Sequence, residues 1–216
     1  EAGFKISMLA ENNPAGSSFG FDVFPILKAE VIIMEEKLKA YAEITGDRTI
    51  NTFRSLAGIN PYIVSTPEVK QTDRQFSVGG GISGNAGGMN FLAEASYSFL
   101  QNMPLYVNDT VSVLQNRFNV IYDNMNLLNI KASLGYVKVK DLQARLLANY
   151  YHYIPVDEDK AWQMPNYEIG LDAGYTFLEK YTLRTSIMMI GSRYALVYHE
   201  GLKEPVKMKT AVDIGF

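Results

Sequence analysis

The stretch that most constrains this chain runs from Tyr167 to Phe177. Its odd positions are Tyr167, Ile169, Leu171, Ala173, Tyr175 and Phe177; its even positions are Glu168, Gly170, Asp172, Gly174 and Thr176. Successive side chains of a strand point to opposite faces, so the alternation predicts a strand with one apolar face and one charged or side-chain-poor face. Aromatic rings close the apolar row at both ends. The segment is longer than a usual globular strand of about five or six residues, and matches the roughly 9–11 of a tilted strand crossing a bilayer. Leu178-Glu179-Lys180 then turns the chain into another run of the same kind.

The unit recurs along the chain. Gly3 to Glu11, Ile26 to Met34, Leu38 to Asp47, Gln75 to Ser83, Met89 to Phe99, Leu128 to Val137, Leu142 to Tyr153, Tyr181 to Ile190 and Val206 to Phe216 read as strands, with shorter ones at Phe19 to Phe24 and Arg117 to Tyr122. Turns are expected at Glu35-Glu36-Lys37, in Gly84 to Gly88, at Asp123-Asn124-Met125-Asn126 and at Lys138-Val139-Lys140-Asp141. Residues 48–73 and 101–114 read as long connections, the first with a short helical stretch within Ile50 to Ala57. Gly79-Gly80-Gly81 predicts a bend or close backbone approach; no helix follows to make it a phosphate cradle. Consecutive strands joined by short turns predict an all-β, antiparallel up-and-down meander of about 10–12 strands.

Alternation alone does not say what the apolar face touches. In the strands 89–99, 128–137, 142–150, 167–177 and 206–216 the apolar rows carry no charge, while the opposite rows carry Glu94, Lys131, Arg145, Glu168, Asp172, Lys207, Lys209 and Asp213. A lipid-facing row requires this, because Lys or Arg at mid-bilayer costs about 2–4 kcal/mol. A soluble barrel that binds an apolar ligand inside requires it too. Strand length favours lipid, as do the aromatic residues Tyr97, Phe99, Tyr136, Tyr150, Tyr167, Tyr175, Phe177 and Phe216 near the row ends. No apolar run is long enough for a transmembrane helix, which says nothing about strands. Net charge is −3 and cysteine is absent. Nothing there points to nucleic acid, and no disulfide, thiol nucleophile or cysteine metal site can form. The chain starts at Glu1 without an initiator Met or signal peptide, as a processed or excised sequence does.

Phe118-Asn119-Val120-Ile121-Tyr122-Asp123, the run Lys160-Ala161-Trp162-Gln163-Met164-Pro165, the alternating strand after it and Ser192-Arg193-Tyr194-Ala195 together resemble the barrel portion of TonB-dependent-receptor-like bacterial outer-membrane proteins. The likeness covers about residues 50–216. The C-terminal run Met208 to Phe216 resembles the terminal strand by which such barrels are recognised for assembly. The resemblance implies an outer-membrane location and uptake of a solute, metal chelate or glycan. It also implies contact with lipid and, in a full-length protein, a TonB or surface-lipoprotein partner. Those receptors have about twice as many strands and an N-terminal plug, so residues 1–216 are either one small barrel domain or a C-terminal barrel segment of a larger receptor.

Turn parity conflicts with that resemblance. Counted alternately, the tight turns at 138–141 and 178–180 fall on the same side as the long connections, whereas outer-membrane barrels separate the two.

The chemistry-bearing residues point away from catalysis. His152 and His199 sit among tyrosines, with no G-x-S-x-G or H-E-x-x-H around them. Glu168 and Asp172 lie about 13 Å apart on one strand face, too far for a glycosidase pair. They read as lumen charges balanced by Arg145, Lys131 or Arg184 on neighbouring strands. The lumen-facing candidates are thus Glu94, Lys131, Arg145, Glu168, Asp172, Arg184 and Lys207. Trp162 is the candidate ligand-loop residue, stacking on a ligand or anchoring the loop at the membrane interface. Asp157-Glu158-Asp159-Lys160 lacks the ordered spacing of a Ca²⁺ loop and reads as solvated. No catalytic residue, metal site or cofactor is predicted.

Overall fold

The computed structural model describes the whole chain apart from residues 14, 15, 36, 111–115, 139–141, 179, 200 and 201. Twelve strands and one short helix follow in the order β1 (Ala2–Asn13), β2 (Gly16–Met34), β3 (Leu38–Thr49), α1 (Phe53–Ile59), β4 (Thr72–Ala86), β5 (Met89–Asn108), β6 (Phe118–Lys138), β7 (Leu142–Pro155), β8 (Tyr167–Phe177), β9 (Tyr181–Ile190), β10 (Arg193–His199), β11 (Leu202–Met208) and β12 (Ala211–Gly215). Ten of them form one antiparallel meander, β1-β2-β3-β4-β5-β6-β7-β8-β9-β12, and β10 and β11 form a separate hairpin. The sheet does not close: β1 and β12 are its edges.

Several expected boundaries shift. Phe19 to Phe24 and Ile26 to Met34 are one strand, with Pro25 paired to Phe4 near the sheet edge, where a missing N–H is tolerated. Asp123-Asn124-Met125-Asn126 is no turn, because β6 runs straight through it. Residues 101–108 are not a connection; they continue β5 past a register shift between Leu100 and Met103, where Asn102 takes φ 52° and donates its N–H to Asn124 Oδ1. Val206 to Phe216 divides between β11 and β12. Helix α1 lies in the first long connection, opened by a reciprocal Thr52–Ser55 capping box.

These corrections resolve the parity conflict. With residues 118–138 as one strand, the short connections 35–37, 87–88, 139–141 and 178–180 lie at one end of the sheet. The long ones, 50–71, 109–117, 156–166 and 191–210, lie at the other, together with the short link from β1 to β2. This is the separation expected of an outer-membrane barrel. Gly87 and Gly88, at φ 59° and 84°, form the two-residue turn between β4 and β5, a backbone that residues with a Cβ rarely adopt.

Register sorts the side chains into two faces. On one lie Ile130, Leu134, Leu146, Ile169, Tyr175, Leu183 and Ile214, all more than a third exposed. Between its two aromatic ends this face carries no charged side chain. Phe76, Tyr97 and Phe99 contact one another at the long-loop end, and Tyr175, Phe177 and Tyr181 do so at the tight-turn end. From Tyr167 to Phe177 the strand covers about 33 Å, which a tilt of about 40° reduces to roughly 25 Å, the height of a membrane band. The opposite face is polar. Two concavities, of about 760 and about 260 Å³, open on it.

The buried core lies at the long-loop end, where β5 and β6 extend as a hairpin covered on both sides. On the polar side Leu100, Leu105, Val107 and Met125 pack with Trp162 and Leu196. On the other, Tyr106 and Val120 pack with Leu56 and Ile63 from the α1 connection.

Candidate functional site: the concave polar face

Cross-strand partners place the charged residues in rungs. Tyr41, Gly81, Glu94, Lys131, Asn149 and Glu168 stand directly opposite one another across six strands. Glu94 accepts from Tyr41 Oη at 2.6 Å and from Lys131 Nζ at 3.0 Å. Gly81 makes room for this contact: a Cβ there would lie 2.5 Å from the Ala93 carbonyl oxygen and 2.9 Å from Glu94 Cβ. The smaller concavity sits here, between Tyr41, Glu43, Gly79, Glu94, Ser96 and Tyr151.

A second rung joins Asn90, Gly135, Arg145, Asp172, Ser186 and Gly215, with Arg184 opposite Gly174 one step toward the tight turns. These residues line the larger concavity.

The expected lumen residues therefore separate into two groups. Glu94, Lys131, Arg145, Glu168, Asp172 and Arg184 share the polar face. Lys207 does not: it lies in β11, paired with Tyr194 outside the ten-stranded sheet. The expected charge balance also differs. Lys131 pairs with Glu94, and Glu168 accepts from Tyr151 Oη at 3.2 Å. Arg145, Arg184 and Asp172 form no ion pair among the described residues, although Arg145 and Asp172 are direct partners in register.

Trp162, expected at a ligand or at the membrane interface, is packed in the core at the loop end. It is 2% exposed, bridges to Tyr194, and donates Nε1–H to Glu158 Oε2 at 2.8 Å. Asp123, also 2% exposed, accepts the backbone N–H groups of Asp157 and Glu158 at 3.1 and 3.0 Å. Together they fold the 156–166 loop inward over the polar side of the extended hairpin. No group of metal-ligating side chains forms among the described residues. His152 is exposed at the loop end of β7; the His199 side chain lies outside the described residues.

Sequence reading missed a cluster where β2, β3 and β4 meet near the loop end. Arg48 binds both oxygens of Asp73, at 2.6 and 2.8 Å, and also contacts Asp22; Lys5 contacts Asp47. Arg48 and Asp73 frame the first long connection, so no alternation marked them as strand residues facing one another.

No family model and no curated protein matches the sequence. Solved structures do. The chain is similar to the pyoverdine outer membrane receptor FpvA from Pseudomonas aeruginosa PAO1, with TM-score 0.65 and 13% identity over 98% of this chain and 32% of that one. It is similar to the FrpB iron transporter from Neisseria meningitidis, with TM-score 0.63 and 9% identity over 99% and 34%. The ferric yersiniabactin uptake receptor FyuA from Yersinia pestis gives TM-score 0.61 and 11% identity over 92% and 30%. The chain spans about a third of the length of these structures. Its fold is that of an open, ten-stranded portion of the barrel wall of TonB-dependent outer-membrane receptors.

Proposed function

We propose that this chain is wall of a bacterial outer-membrane β-barrel that takes up a solute, its apolar face toward lipid and its polar face toward a water-filled lumen. The observation that carries the reading is the registered separation of faces. A ten-stranded sheet exposes a continuous apolar surface without a charge between two aromatic belts, while its charges gather on the concave side. Soluble proteins rarely expose contiguous apolar patches above a few hundred Å². A soluble barrel holding an apolar ligand needs an apolar concave face, and here that face is polar. The open edges β1 and β12 support a segment completed by further strands, since unpaired backbone is not tolerated in hydrocarbon. The similar structures include a pyoverdine receptor and an iron transporter, which favours a metal chelate over a glycan. A TonB contact would belong to the complete receptor, and the role is non-enzymatic.

The chain has no cysteine, so single introduced ones are unambiguous reporters. In protein reconstituted in phospholipid vesicles, a water-soluble maleimide is expected to label Ser133→Cys and Asn129→Cys and to spare Ile130→Cys and Leu171→Cys. Equal labelling of both sets removes the membrane reading.

A further inference from the structure

We infer that the larger concavity is an anion-binding subsite, in which Arg145 and Arg184 together hold a phosphate or carboxylate group of a water-soluble solute. The inference rests on the polar face being a lumen and names a chemistry for one part of it.

On the neighbouring rung the charges have partners. Lys131 is held by Glu94, and Glu168 takes the Tyr151 hydroxyl. The cavity of about 760 Å³ is different: its charged side chains are Arg145, Asp172 and Arg184, and none of the three forms an ion pair among the described residues. Two guanidinium groups stand against one side-chain carboxylate, on a chain whose net charge is −3. Arg145 is on β7 and Arg184 on β9, two strands apart and one two-residue step out of rung. Their Cα atoms are thus about 12 Å apart, from strand spacings of about 4.8 Å and a rise of about 3.3 Å per residue. Two long side chains converging across that gap can contact one small anion from both sides.

The floor between them is cleared for it. Gly174, the direct partner of Arg184, has no side chain, and a Cβ there would meet Arg184 Cγ at 3.9 Å, so the arginine stem lies across the glycine toward β8. Gly135 faces open space on the Arg145 side, with nothing closer than 3.9 Å. Asn90, Ser133 and Ser186 add uncharged hydrogen-bonding groups to the wall. Guanidinium is the side chain best matched to planar or tetrahedral oxyanions, which it binds through paired N–H donors. A lipid headgroup is not the ligand this site fits, because the site opens on the face opposite the apolar surface.

The test uses the complete barrel that contains this wall, in vesicles, with inorganic pyrophosphate and citrate as probes and titration calorimetry as readout. Saturable binding of either probe is expected, weakened at least tenfold in Arg145→Gln/Arg184→Gln and weakened by added salt. Asp172→Asn is expected to act in the opposite direction, tightening binding several-fold, an outcome that loss of folding cannot imitate. Lys203→Gln, on the separate hairpin, should bind as the unaltered protein does. Binding that is unchanged in the double variant, or not tightened by Asp172→Asn, overturns the site. Absence of saturable binding in a protein whose Asn129→Cys labels from water overturns the subsite and leaves the lumen standing. An Asn129→Cys shielded from water overturns the lumen reading and the subsite with it.

Discussion

Asp123 shows how one buried carboxylate organises the loop end. Its two oxygens satisfy two adjacent backbone N–H groups at the start of the 156–166 loop, and Trp162 closes the loop four residues beyond Glu158. Asp123→Ala removes the acceptors of two donors that water can partly reach, at about 0.5–1.5 kcal/mol each. The loop is expected to loosen while the sheet stays intact, with a red shift of Trp162 emission and unchanged far-ultraviolet circular dichroism. Tyr106 gives a pH prediction on the other side of the hairpin. It donates to the Leu56 carbonyl at 3.3 Å, and burial pushes its phenol up to about 12. An unfolded tyrosine titrates near 10, so the folded state holds the proton more tightly. The stabilisation is complete below about pH 10 and is lost as pH rises through 12. Near-ultraviolet circular dichroism should hold to pH 10 and fall between 10 and 12, and Tyr106→Phe should lessen the fall.

At the level of elements, β4 is the strand whose composition looks weakest and whose packing is tightest. Its glycines let β3 and β5 approach, and at Gly81 an added Cβ would meet backbone, which cannot swing aside. Gly81→Val is expected to cost about 1–3 kcal/mol through overpacking and to break the Tyr41–Glu94–Lys131 contact, read as a lower urea midpoint. Most strands were legible in the sequence because they stand in a band where one face must be apolar, so alternation is enforced. Above that band the rule lapses. Residues 101–108 and 118–126 remain strand, but loops cover both of their faces, so Gln101-Asn102 and Asp123-Asn124 look like turns. The burial of Trp162 was not legible for the same reason: a polar loop sequence gives no sign that Leu105, Met125 and Leu196 wait to bury it. The pairing of Glu94 with Lys131 needed the register across strands, which no single strand contains. The β10–β11 hairpin likewise has alternation enough to pass for sheet, and only pairing shows that Lys207 stands apart.

For the molecule as a whole, the two faces predict opposite responses to the same substitution. Ile130→Lys puts a cation on the apolar surface and is expected to cost about 2–4 kcal/mol of folding stability in vesicles. Ser133→Lys, on the polar face of the same strand, should change it by less than about 1 kcal/mol. Urea-induced release of each variant from vesicles measures both; equal effects would mean that the apolar surface does not meet lipid.

The gathering of the tightest turns at one end carries a consequence for sequence variation. In β2–β3, β4–β5 and β8–β9 the chain reverses within three residues, so the offset between neighbouring strands is indexed there. Lengthening or rewriting the opposite connections does not disturb that indexing. Walls indexed in this way can differ at most positions and in their long connections while keeping the same stagger, which fits superposition over 98% of this chain at 13% identity.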